Sequence, residues 1–148
     1  MLKNIKNDLV YILDILNCIA KIKKYSNDYN NPEGFFEAND QLNFNACLNL
    51  LANIGENANK LSDELKSKYP HLEWPRIISY RNRIVHDYKS INIVATFEII
   101  KKKLVSLEIN IIKVIENELR SQHFDIEEFK VAKESNFYRF IDFSKVNY

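Results

Sequence analysis

The sequence predicts an all-α protein: an antiparallel four-helix bundle followed by a C-terminal extension with one more short helix. Three observations lead there. Only 2 Gly and 3 Pro occur in 148 residues, too few turn formers for a fold of many short strands. Hydrophobic residues make up 46% of the chain, enough to line long helices. Apolar positions recur at steps of three and four, the period of a helix face rather than of a strand.

Leu2, Ile5, Leu9, Ile12, Leu13, Leu16, Ile19 and Ala20 form the first such stripe, on a helix from about residue 2 to about residue 24. The turn formers between Tyr25 and Gly34, Pro32 among them, predict a reversal. From Asp40 the positions Leu42, Ala46, Leu50, Ile54, Ala58, Leu61 and Leu65 mark a second, long helix, which Pro70 stops soon after Lys68. Gly55 lies in its middle, where it costs roughly 1 kcal/mol against alanine, so another helix is expected to approach closely there. Pro75 suits the first turn of a short third helix through Ile77, Ile78, Tyr80 and Ile84 to about His86. Ser90 or Asn92 could cap a fourth, with Val94, Phe97, Ile100, Leu104, Leu107, Ile111 and Val114 on its buried face, ending near Leu119.

These four helices divide the chain into a bundle over residues 1–120 and an extension over residues 121–148. In the extension, Asp125 followed by Glu128 offers a capping box for a short helix, while the aromatic stretch from Phe137 to Tyr148 has no clear period. The bundle's apolar faces look wide enough to pair with a second copy, so a homodimer is expected.

Charge excludes one class of function. With 21 basic and 20 acidic residues, a formal net charge of +1, the chain is no polycation that binds nucleic acid by bulk attraction, and any RNA contact has to be local. Cys18 and Cys47 fall in apolar helical patterns with no Cys or His at ligand spacing, so both read as reduced core residues. No metal and no cofactor are expected. Asp8 and Asp14 interrupt the N-terminal apolar run at helical spacing, which favours an amphipathic helix over a secretion signal. No run approaches the ~20 apolar residues of a membrane span, so the expectation is a cytoplasmic protein without membrane contact.

Of three histidines, only His86 lies among other reactive groups, in Tyr80-Arg81-Asn82-Arg83-Ile84-Val85-His86-Asp87-Tyr88. A guanidinium supplies fixed donors for a phosphate, and an imidazole can take a proton from a 2′-hydroxyl or give one to a leaving oxygen. Together they suffice for RNA cleavage without metal, leaving a 2′,3′-cyclic phosphate and sparing DNA, which lacks the attacking hydroxyl. On a straight helix, residues five apart stand about 140° apart around the axis, so Arg81 and His86 do not converge unaided. Either the helix ends between them or a two-fold dimer brings both pairs into one cleft, and the second is favoured. A plainer reading has His86 capping the helix end, with Arg81 and Arg83 solvated or paired with Glu56 or Asp87. Spacing alone leaves both open. Lys101, Lys102 and Lys103 read as a solvated face, and Trp74 as a packing anchor.

The conjunction of Ile54-Gly55-Glu56-Asn57-Ala58-Asn59-Lys60-Leu61-Ser62, Tyr69-Pro70, Trp74 and the segment Arg81–Tyr88 is more specific. In order and spacing it resembles the HepT-like toxins of the HEPN superfamily, over roughly residues 5 to 108. The resemblance implies a homodimeric HEPN bundle that cuts RNA without metal, tRNA and mRNA both being open as substrates, through an Arg-x4-His-x-Tyr motif at the dimer interface. Arg81 and His86 match its catalytic positions, Asn82 the supporting polar residue, and Tyr88 the motif tyrosine. It further implies a type VII-like toxin–antitoxin pair, in which a minimal nucleotidyltransferase antitoxin of the MntA kind transfers AMP from ATP to Tyr88. Bulk and negative charge two residues from His86 would then block the RNA cleft. Some HEPN domains are instead non-catalytic nucleotide- or substrate-binding partners of nucleotidyltransferases, but they lack the motif. The resemblance does not extend to the residues beyond Leu119, and Val94-Ala95-Thr96-Phe97 stands where the family often carries a tryptophan.

Overall fold

The computed structural model describes residues 2–148, with side chains from Asp8 onward. Leu2 and Ile5 of the first predicted stripe therefore lie outside the described side chains. Among the described residues there is no strand. The helices are α1 (Leu2–Ser26), α2 (Pro32–Glu37), α3 (Leu42–Lys60), α4 (Asp63–Lys68), α5 (Trp74–His86), α6 (Ile93–Glu98), α7 (Leu104–Arg120) and α8 (Ile126–Lys133).

α1, α3, α5 and the α6–α7 rod run alternately up and down. Asp8 near the start of α1 meets Ser62 just past the end of α3, its carboxylate accepting from Ser62 N at 2.9 Å and Ser62 Oγ at 2.6 Å. At the other end of α1, Ser26 O accepts from Lys101 Nζ at 2.7 Å and Lys23 pairs with Glu108 at 3.1 Å, which orients α7 antiparallel to α1. α3 stands between α1 and α5. Ile12, Ile15, Ile19 and Ile22 of α1 face Cys47, Leu48, Leu51 and Ile54 of α3 and Ile111, Val114 and Ile115 of α7 in one buried core. Both cysteines are free and buried. Burial pushes the thiols up, Cys18 to about 11 and Cys47 to about 12, so neither is a thiolate at neutral pH.

The long second helix is broken. Leu61 leaves helical geometry (φ −61°, ψ 147°), and Ser62 opens α4 by accepting from Leu65 N. Because Leu65 continues the apolar phase of α3, the periodicity passes over the break, while the capping sequence Ser62-Asp63-Glu64 marks it. Of the face expected for this stretch, Ile54, Ala58, Leu61 and Leu65 are buried, Ala46 and Leu50 are half-buried and Leu42 is 66% exposed, while Phe44, Cys47, Leu48 and Leu51 widen the buried face of α3. The predicted reversal contains a helix of its own, α2, capped by Asn31 and begun by Pro32. Between α2 and α3, Asn39, Asp40 and Gln41 all adopt left-handed backbone, with φ of 51°, 56° and 70°.

The fourth helix is two helices joined by a π-helical segment, Ile99–Lys103. The wider turn shifts the phase of the apolar stripe, so that Thr96 is buried and Val94, expected inside, is 54% exposed. Asn92, rather than Ser90, caps α6. Lys101 is not merely solvated, since besides Ser26 it reaches the ring of Phe97. The final residues lie against the bundle. Asp125 caps α8, Phe129, Ile141 and Val146 are buried, Asn17 Nδ2 donates to Phe137 O at 3.0 Å, and Tyr138 OH donates to Asp14 at 2.8 Å. Among the described residues no helix is long and apolar enough to cross a membrane.

Candidate active site on α5

Glu73, in left-handed backbone, turns the chain into α5, and Trp74 fixes the entry. Its ring is buried, and its Nε1 donates to Lys66 O at 3.2 Å and Tyr69 O at 3.0 Å. From this anchor α5 crosses α3 at Gly55. A Cβ there would overlap Arg81 Cβ and stand 3.0 Å from both Arg81 Cγ and Ile77 O. Gly55 is thus the close-approach glycine expected from the sequence, and the residue it admits is Arg81.

Arg81 is held on two sides. Its guanidinium pairs with Glu56 Oε2 at 2.9 Å and donates through its other terminal nitrogen to Asn82 Oδ1 at 3.0 Å. About a third of each partner of the ion pair is exposed, so solvent can reach the guanidinium. Such a surface pair is worth only about 0–1 kcal/mol, whereas a phosphate can take charge-assisted, bidentate bonds from the same fork. A phosphate could therefore share or displace the carboxylate. Lys60 Nζ, 4.0 Å from Glu56, offers that carboxylate a second cation.

His86 is the last residue of α5 and is exposed. Among the described residues no hydrogen bond or ion pair engages its ring, and none joins it to Arg81. The helix runs unbroken to His86, so the first of the two ways of converging these residues, a helix end between them, is not what the chain does. Tyr88 follows in a short 3-10 turn, 52% exposed, its hydroxyl donating to Asn45 Oδ1 on α3 at 3.0 Å. Arg83 donates to Ser90 O at 3.3 Å and so steadies the same turn.

The chain thus brings together Arg81, Asn82 and Glu56, and separately Tyr88 and Asn45. The Arg81–Glu56 pairing of the plainer reading is present, and so is an exposed, unengaged imidazole. Glu56 and Asn45 carry no motif of their own. Glu56, one of the two carboxylates the plainer reading offers to the arginines, follows the glycine at the helix crossing, whereas no sequence signal points to Asn45. Beside Asn82, a shallow groove is lined by Lys66, Pro70, Trp74, Pro75 and Ile78. Among the described residues no three His, Cys, Asp or Glu side chains gather as a metal site would require.

A family model described as "Ribonuclease HepT-like" matches residues 15–114. The similar curated proteins include three from Methanocaldococcus jannaschii. The first, a "Gamma-glutamylcyclotransferase and putative RNase", is 28% identical over 116 residues, 78% of this chain and 50% of the relative, so this chain spans about half that protein's length. The second, a "Putative RNase", is 24% identical over 113 residues, covering 76% of this chain and 95% of the relative. The third, also a "Putative RNase", is 29% identical over 111 residues, 75% of this chain and 86% of the relative. No solved structure matches the chain.

Proposed function

The chain belongs to the HepT-like ribonuclease family, and we propose that it is the RNA-cleaving toxin of a type VII-like toxin–antitoxin pair, acting without metal through Arg81 and His86. In this reading two copies pair so that the α5 ends of both line one cleft, which resolves the 140° separation that a single straight helix imposes at about 3.6 residues per turn. His86 takes the proton of a 2′-hydroxyl, the freed oxygen attacks the adjacent phosphorus, and the bond from phosphorus to the 5′-oxygen breaks, that oxygen taking a proton from the second copy's imidazolium or from water. Arg81, its side chain aimed by Glu56 and Asn82, stabilises the charge that builds on the non-bridging oxygens. The products are a 2′,3′-cyclic phosphate and a free 5′-hydroxyl. An MntA-like nucleotidyltransferase antitoxin silences the enzyme by transferring AMP to the exposed hydroxyl of Tyr88.

The observation that carries this reading is the pairing of an oriented, solvent-accessible guanidinium with an exposed imidazole that nothing in the protomer engages. The test incubates purified wild-type and His86→Ala protein with total cellular RNA in EDTA and examines fragment ends for cyclic phosphate. Cleavage by wild type alone is expected. Intact RNA after incubation with wild-type protein of unmodified mass would overturn the reading, leaving a non-catalytic HEPN binding partner of a nucleotidyltransferase.

A further inference from the structure

Away from α5, three cations converge on one aromatic ring. Lys21 Nζ lies 5.7 Å, Lys24 Nζ 5.3 Å and Arg139 Cζ 4.9 Å from the centroid of Phe140, which is half-buried. The arrangement is assembled by the fold. Lys21 and Lys24 are one turn apart on the outer face of α1, and the chain end that carries Arg139 and Phe140 is tied to that same face through Asn17 and Asp14.

The carboxylates around this cluster are engaged elsewhere. Glu108 is matched by Lys23 at 3.1 Å and Lys145 at 3.8 Å. Asp142 is bonded by Ser144, and Asp14 accepts from Tyr138. Asp14 feels the charge of Lys21 without lying within ion-pair distance. Among the described residues Lys21, Lys24 and Arg139 form no ion pair. In a chain of net charge +1, this is the local excess of positive charge that the composition demanded of any RNA contact.

The cluster also lies at the same end of the bundle as the end of α5. Asn43 at the start of α3 donates to Tyr25 O, next to Lys24, at 2.9 Å, and Asn45, two residues on, accepts from Tyr88. With α3 between α1 and α5, and packed helices about 8–10 Å apart, the axes of α1 and α5 are roughly two helix spacings apart, and the ring lies on the outer side of α1. We infer that Lys21, Lys24, Arg139 and Phe140 form a second RNA subsite, in which phosphates draw the cations off the face of the ring and a base several nucleotides from the cleavage point stacks in their place. Cations beside an aromatic platform are what a single strand of nucleic acid requires, since every base has a face to stack and every linkage a charge. The assignment of RNA rests on the proposed ribonuclease reading, whereas the anionic, stacking character of the ligand does not.

The test measures binding of fluorescein-labelled single-stranded RNA of 4 and 20 nucleotides to full-length His86→Ala protein, which leaves the probe uncut, with and without Lys21→Gln, Lys24→Gln and Arg139→Gln. The triple change is expected to weaken the 20-mer at least tenfold and to lower the slope of log affinity against log salt by about 2, at about 0.7 for each single-strand phosphate that the protein ceases to neutralise, with the 4-mer unaffected. Phe140→Leu keeps the apolar contact and is expected to weaken the 20-mer several-fold without changing the slope. If the triple variant binds the 20-mer with wild-type affinity and slope, the subsite is overturned, and an acidic protein partner becomes the better occupant. Loss of 20-mer binding in the variant, in a protein that cleaves nothing when His86 is present, would uphold the subsite and sink the catalytic reading. Cleavage by wild type with unchanged binding by the variant would do the reverse.

Discussion

The middle and the end of α5 are held in opposite ways. At Arg81 the helix is pressed into α3 over a glycine, and the guanidinium is fixed by Glu56 and Asn82. One turn later, His86 projects from the helix end with no bond among the described residues, and Tyr88 keeps a single exposed bond to Asn45. The group that would meet charge is preorganised by the fold, and the groups that would move a proton or accept a modification are left accessible. That division accords with the proposed reading, in which a second copy completes the cleft.

This contrast can be broken or sharpened by mutation. The largest effect is expected at Gly55. Gly55→Ala should gain up to about 1 kcal/mol of helix propensity, but its Cβ meets Arg81 Cβ and a backbone carbonyl, which no rotamer change relieves. We expect a net loss of about 1–3 kcal/mol in thermal or denaturant unfolding, together with loss of cleavage. An unchanged or raised melting temperature would show that α3 and α5 are not locked at this point.

A smaller effect is expected from Glu56→Gln. The ion pair is partly exposed, so stability should fall by no more than about 1 kcal/mol. Loss of aim at Arg81 should lower kcat about tenfold, while KM does not rise because the guanidinium is freer to meet a phosphate. A rise in KM at unchanged kcat would mean that Glu56 does not position Arg81 for the chemical step. The smallest structural effect belongs to Tyr88→Phe. Only the exposed bond to Asn45 disappears, about 0.5 kcal/mol at the low end for a hydrogen bond open to water, and cleavage should persist while antitoxin-dependent incorporation of AMP, followed by intact mass, ceases. Continued incorporation would place the modification at another residue.

The same contrast runs through what the sequence revealed. Leu9, Ile12, Leu13, Leu16 and Ile19 announced α1, because a side chain's burial on a regular helix depends only on its phase. Gly55 announced a helix crossing for a similarly local reason. The break at Leu61 leaves the apolar period intact because Leu65 keeps the phase, and only the capping chemistry of Ser62 marks it. Val94 and Thr96 exchanged places because a π-helical segment alters the period that the stripe assumes. In the site, Arg81, Asn82, His86 and Tyr88 were legible as one contiguous motif. Glu56 is one of two carboxylates the sequence offers to the arginines, and folding α3 against α5 selects it, whereas the bond of Asn45 to Tyr88 is a relation no spacing encodes.

Both glycines lie inside helices, Gly34 in α2 and Gly55 in α3, while the left-handed positions Asn39, Asp40, Gln41, Glu73 and Gln122 are filled by residues with side chains. Each such position strains the native state by about 1–2 kcal/mol. Glycine there would remove the strain but widen the range of conformations open to the denatured chain, at roughly 0.4–1 kcal/mol per site. The joints of this bundle are therefore set partly by what the polypeptide is denied when it is unfolded.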